Sequence, residues 1–213
     1  MERSFFKTRF LNISEQNILK NFIIKNYKKN HVIVKSTKLL NFFFLNKKRK
    51  KLNFVASFLN KEIVSIYGVL NNKHWDKNLN SDMQLSLWIN KKKNFVSGFE
   101  TFKYILNVLK PYSLFTSGLN LDTSGRIFSI FAEIKKYDHF YICNPTIQKK
   151  ISKNLISEKK TRKINVEKFK ISKTSKPLSL PKYDFYPKKS IKFFLNKYTR
   201  NPFYKYYFLN FKL

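Results

Sequence analysis

The chain has 213 residues, of which 44 are basic and 12 acidic, giving a formal net charge of +32 at neutral pH. That length suits one medium domain or a smaller one with extensions, and the charge is far beyond what solubility needs, so an anionic partner is expected. The longest apolar runs, such as Phe42-Phe43-Phe44-Leu45, are far short of the ~20 residues of a spanning helix, and a single cysteine, Cys143, excludes a disulfide framework and a CxxC zinc site.

Part of the lysine content has a bland source. Lys, Asn, Phe, Ile and Tyr have A/T-rich codons, while Ala (Ala56 and Ala132 alone), Gly, Pro and Arg are scarce. An A/T-biased genome, typically an organellar one, would write such a chain. Codon bias leaves the acidic deficit unexplained, and the imbalance reads as an electrostatic footprint for nucleic acid. The first sixteen residues, with Glu2 and Glu15, lack the Arg/Ser-rich, acid-poor look of a transit peptide. That fits a protein made inside the organelle, and equally a cytosolic one.

In chain order, Ile13, Leu19, Phe22, Ile23 and Tyr27 predict a helix over 12–29, with Ser14 as N-cap. The β-branched run 31–37 predicts a strand. The block Lys47, Lys48, Arg49, Lys50 and Lys51 reads as a phosphate-contacting loop. Residues 61–70 alternate with apolar character on both faces, as in a covered strand, and 71–80 read as loop, with His74 beside Trp75 a packed loop residue rather than a base. From Ser81 a helical pattern runs through Leu85, Leu87, Trp88 and Ile89, breaks at 90–94, and resumes at Phe95, Phe99, Phe102, Ile105, Leu106 and Leu109 until Pro111. Strands are expected over 112–118, 119–124, 126–134 and 138–144. Gly125 would supply a positive φ in the turn before Arg126. Residues 157–213 hold 16 basic and 3 acidic side chains with four prolines among them, and read as an extension without its own core. Its aromatic end, from Asn201 to Leu213, is too apolar for free solvent.

The stretch "GLNLDTSGRI" (118–127) followed by Ala132-Glu133-Ile134-Lys135 resembles the carboxy-terminal domain of the small-subunit ribosomal protein S-three family. Residues 59–72 resemble that family's last KH strand, and 85–106 resemble its helix pair meeting at a phenylalanine, here Phe95; coverage is about residues 59–140. The family's two arginines and lysine after the phenylalanine are Val96, Ser97 and Glu100 here, and the KH G-x-x-G loop is absent, since no glycine precedes Gly68.

The resemblance implies an α/β (α+β) fold: a degenerate KH-like part over 1–80, a small mixed sheet packed on two helices over 81–144, and a long basic extension over 145–213. It implies a structural rRNA-binding protein of the mitochondrial small ribosomal subunit, near where messenger RNA comes in and located in the matrix; the codon bias adds that it is organelle-encoded. A lineage-specific organellar ribosomal protein, or an accessory subunit of a respiratory membrane complex, are the alternatives. The expected partners are small-subunit rRNA, messenger RNA, neighbouring ribosomal proteins and a separately encoded fragment completing the KH part, with no small-molecule substrate, no cofactor and no catalysis. The RNA-binding set is Lys47, Lys48, Arg49, Lys50, Lys51, Lys91, Lys92, Lys93, Lys103, Arg126, Lys135, Lys136, Lys159, Lys160, Arg162 and Lys163.

Overall fold

The computed structural model describes residues 5–91, 95–116, 121–131, 133–134, 170–177 and 188–212. The chain forms two units, one of residues 1–117 with 172–210, the other of 118–171 with 211–213.

The first unit opens with strand β1 (Lys7–Asn12). The predicted helix begins later than its pattern suggested: a 3-10 turn at Ile13–Glu15 leads into α1 (Gln16–Asn26). The start is fixed not by Ser14 but by Glu15, whose carboxylate accepts from the Asn12 amide at 2.7 Å and is gripped by both guanidinium nitrogens of Arg9 at 2.7 and 2.8 Å. That hydrogen-bonded guanidinium holds the Glu15 carboxyl below the usual carboxylate range.

The expected strand over 31–37 is helical instead. A short α2 (Val32–Lys35) is followed by α3 (Thr37–Phe44), which Ser36 caps by accepting from the Leu39 amide at 3.1 Å. Local β-propensity is overridden because Ile33, Leu40 and Phe44 reach the core from helical positions.

The chain then runs through β2 (Leu45–Asn46), the basic turn, β3 (Lys51–Leu59) and β4 (Glu62–Asn71). Asn60 and Lys61, at φ 48° and 67°, make the tight hairpin between β3 and β4 without a glycine. Next, Asp82–Asn90 forms β5, not a helix, paired to β4 from Ser65↔Asn90 to Asn71↔Met83. Its apolar residues Met83, Leu85, Leu87 and Ile89 are spaced by two, and a ladder on β4 along its length decides between the two readings. The pattern after the break is helical as expected: α4 spans Phe95–Leu109. It leads to β6 (Ser113–Phe115), which pairs parallel to β5.

The sheet order is β1-β3-β4-β5-β6, all antiparallel except the last pair. Alternate residues serve opposite faces. Leu52, Phe54, Ala56, Ile66 and Leu70 meet Leu19, Ile23, Leu40 and Phe44 of α1 and α3. On the other side Tyr67 stacks on Phe102 of α4, and Ser57 bonds Thr101. The fold is therefore mixed α/β, with helices on both sides of one sheet, and the KH-like part is not what forms over the first 80 residues.

Segment 188–200 also belongs to this unit. Here α6 (Ile191–Phe194) runs into a π-helical turn at Leu195–Thr199 and buries Phe193. Ser190 donates to Asp76 at 2.6 Å, Asn196 to the Trp75 carbonyl at 2.5 Å, and Asn72 to the Lys188 carbonyl at 3.2 Å. This part of the tail is thus packed on the β4–β5 connection rather than extended. Strands β7 (Lys170–Thr174) and β8 (Phe208–Lys212) form a separate two-stranded pair.

In the second unit the expected strands over 119–124 and 126–134 are corrected. Leu121–Gly125 is a π-helical turn and Arg126–Ser129 is α5. Gly125 has φ −60° and ψ −43°, ordinary helical backbone, so no positive φ is required there. The expected strand over 138–144 lies outside the described residues.

Candidate functional site

The sheet shifts register near Phe10, near Ser57 and in the middle of β5, and the last of these lies beside the end of a neighbouring strand. Gly68 faces Leu87 and Val69 faces Leu85, so Ser86 is an extra residue on β5, a bulge. On its other edge, among the described residues, β5 pairs with β6 through Asp82↔Ser113, Met83↔Leu114 and Gln84↔Phe115. One step later the partner is a side chain: the Thr116 hydroxyl donates to the Leu85 carbonyl at 3.1 Å. The backbone ladder to β6 and the regular pleat of β5 stop together. In sheets with parallel strands, ligands bind beyond the carboxyl ends of those strands.

Beyond the bulge the strand is held rigidly. Trp88 stacks on Tyr67 with ring centroids 5.2 Å apart, and burial pushes the Tyr67 phenol well up. Trp88 Nε1 and Ser65 Oγ both donate to Asn90 Oδ1, at 3.0 and 2.7 Å. The Asn90 side-chain amide lies against Gly98, where any Cβ would collide with it. That glycine lets the first turn of α4 sit on the end of β5. The helix is pinned sideways by a chain of hydroxyls: Thr101 donates to the Ser97 carbonyl, and Ser57 joins Thr101 to Thr8 at 2.7 Å each. The start of a 15-residue helix, with its outward-pointing N–H groups, is thus fixed at the carboxyl end of β5.

The sequence-derived basic set is dispersed. Lys47 to Lys51 occupy the turn before β3 and its first residue. Lys91 follows β5, and its ammonium pairs with Glu62 at 3.1 Å. Lys103 lies on the exposed face of α4, and Arg126 opens α5. Lys92, Lys93, Lys135, Lys136, Lys159, Lys160, Arg162 and Lys163 lie outside the described residues. His74 sits in the loop as expected, edge-on to Trp75 and bonded to the Phe42 carbonyl at 3.1 Å. Among the described residues no group of acidic, His or Cys side chains could hold a metal ion, and no helix is long and apolar enough to cross a membrane. Sequence reading missed Ser86, Asn90 and Gly98. The one available signal was Gly98 itself, a glycine inside an otherwise strong helical pattern, which marks a close approach.

No family model and no curated protein matches the chain. Solved structures do. An aminoglycoside acetyltransferase from an uncultured soil metagenomic sample, in complex with trehalose, is 16% identical over 67% of this chain and 99% of its own, with a TM-score of 0.46. An aminoglycoside N-acetyltransferase in complex with CoA is 7% identical over 65% and 94%, at 0.47. The ribosomal-protein-alanine N-acetyltransferase of Brucella melitensis biovar Abortus 2308 is 7% identical over 65% and 99%, at 0.44.

The resemblance to the ribosomal protein S-three family is therefore corrected. A strand does form within 59–72, but the other elements that carried it do not: 85–106 is a strand followed by one helix, and 121–129 is helical. With it go the assignments as an rRNA-binding constituent of a mitochondrial small subunit, as a non-enzyme, and as a chain without a small-molecule partner, all of which it carried.

Proposed function

We propose that the chain is an acyl-group transferase that takes a coenzyme-A-type thioester along the part of β5 beyond the Ser86 bulge. The observation that carries this reading is the coincidence of that bulge with the end of the β5–β6 ladder. A coenzyme A arm is extended and carries two amides, and an exposed strand edge binds such a chain through main-chain hydrogen bonds. Its phosphates are anionic, and the amino end of α4, seated against Asn90 and Gly98, offers N–H groups and the positive end of the helix dipole. The field of a chain with net charge +32 draws such an anion in.

When bound, the coenzyme supplies an activated acyl carbonyl. The chain's contribution is positional: β5 holds the arm, Ser65 and Trp88 fix Asn90 at its phosphate end, and the Tyr67–Trp88–Phe102 stack keeps water from the sheet side. Acetyl transfer to an amine, the activity named for the similar structures, is the reaction to assay. Calorimetric titration with coenzyme A and acetyl-coenzyme A should give saturable one-site binding, and a thiol-release assay against a panel of amines should give turnover. Absence of binding by both forms overturns the reading.

A further inference from the structure

We propose that the acyl acceptor is an amine carried by an anionic molecule, selected by the Lys189 and Lys197 ammonium groups that the docked segment 188–200 sets at the Gln84↔Phe115 rung between β5 and β6. The inference rests on the reading of β5 as the thioester site.

That rung is the last among the described residues before the Thr116 hydroxyl takes over, and Ser86 stands two residues further along β5, about 7 Å away. With the phosphates at Asn90 and the arm along β5, the acyl end comes to the Ser86 side, and the acceptor meets it from the direction of Gln84. Both ammonium groups belong to this place. Lys197 Nζ donates to Gln84 Oε1 at 3.4 Å, and Lys189 Nζ lies 4.6 Å from the Phe115 ring centroid. The buried Phe193 ring holds them together, its centroid 4.6 Å from Lys189 Nζ and 5.2 Å from Lys197 Nζ. Lys189 also donates to Asn72 Oδ1 at 2.9 Å. Aromatic faces and accepting amide oxygens favour the ammonium form. Burial, joined at Lys189 by the charge of Lys197, lowers both to about 8, which still leaves them charged at neutral pH.

The charge around them is one-sided. Segment 188–200 carries Lys188, Lys189, Lys192, Lys197 and Arg200 and no acid. On the elements it packs against, Asp76 accepts from the Ser190 hydroxyl at 2.6 Å and faces Lys192, while Lys73 and Lys77 share its loop. Asp82, fully buried on β5, accepts from Ser113 at 2.6 Å and from Asn72 at 3.3 Å. Two aspartates do not cancel this surplus. A polycationic acceptor is therefore repelled, and one bearing carboxylates or a phosphate is drawn in. The same cations disfavour the protonated form of the incoming amine, so it arrives with its electron pair free. That pair forms a C–N bond to the acyl carbon and the C–S bond breaks, its electrons leaving on sulfur. The proton shed by the nitrogen balances the thiolate, giving an amide and a free thiol.

The test first measures coenzyme A binding to the full chain by calorimetry. It then compares thiol release with peptides of free amino terminus, Ala-Glu-Asp-Glu, Ala-Gln-Asn-Gln and Ala-Arg-Gln-Arg, and with phosphoethanolamine beside ethanolamine. The kcat/KM of an anionic acceptor should exceed that of its neutral counterpart roughly tenfold or more, with the basic peptide poorest. Lys197→Met should shrink that ratio roughly threefold or more and Lys197→Arg should restore it, with coenzyme binding as the check that each variant has folded. Preference for the acidic peptide alone supports a peptide acceptor, and preference for phosphoethanolamine alone supports a small phosphorylated amine. Coenzyme binding with equal turnover of charged and neutral acceptors, with no turnover of any, with the basic peptide preferred, or with a ratio unmoved by Lys197→Met overturns the inference and leaves the thioester site standing. Absence of coenzyme binding overturns both.

Discussion

Gly98 and Asn90 occupy one another's space, and that single contact sets how close α4 can come to β5. The Asn90 amide cannot swing aside, because Ser65 and Trp88 both hold its oxygen. Gly98→Ala should therefore destabilise the fold by about 1–3 kcal/mol despite the better helix propensity of alanine. In an Asn90→Ala background the same change should become neutral or stabilising by roughly 0.5–1 kcal/mol. Urea unfolding of the four proteins checks this; equal costs in both backgrounds would refute the contact. A second residue-scale effect is acid sensitivity. His31 has a buried Nδ1 without a hydrogen-bond partner among the described residues, and burial, with Lys28 nearby, lowers its proton affinity. The unfolded chain then binds a proton that the folded chain resists, so stability at neutral pH is lost as pH falls below about 6.5 toward the folded value. His31→Phe should flatten that part of the pH–stability curve measured by thermal melts.

At the scale of elements, the Ser86 bulge makes a sharp prediction. Deleting Ser86 should restore the regular pleat of β5 against β4, keep the melting temperature close to that of the parent, and weaken coenzyme binding by roughly tenfold or more, since bulges re-aim strands beside functional sites. Unchanged binding would separate the bulge from function. The same element shows what the sequence could reveal. Helix α4 was legible because Phe99, Phe102, Ile105, Leu106 and Leu109 repeat at 3.6 residues, and β4 because its apolar run is short and β-branched. Strand β5 was not, because Leu85, Leu87, Trp88 and Ile89 satisfy both periods over so short a run. Helices α2 and α3 were hidden by Val32, Ile33 and Val34, whose preference for strands loses to burial. The candidate site was almost wholly illegible: a bulge is a property of register between two strands, and no single strand displays it. Gly125, expected at a positive φ, is helical, whereas among the described residues the glycines under steric demand are Gly98 and Gly68, the latter facing the Phe54 ring at 2.8 Å from where its Cβ would stand.

For the whole molecule the dominant quantity is charge. With 44 basic against 12 acidic side chains, and a formal charge of +32, self-repulsion opposes compaction. Stability should rise with salt from about 10 mM to about 300 mM NaCl, as the Debye length falls from ~30 Å to well under 10 Å. A melting temperature insensitive to salt over that range would show that the lysines are too far apart to matter.

The docking of residues 188–200 on the β4–β5 connection has a kinetic side. Its hydrogen bonds join residues more than a hundred positions apart, such as Ser190 to Asp76 and Asn196 to Trp75. During synthesis, the strands and helices up to residue 117 emerge long before their last covering piece. Until it arrives, the Phe115 ring lacks the Lys189 ammonium over it, Asp76 and the Trp75 carbonyl lack their late partners, and the nascent polypeptide must wait in that open condition for its own far end.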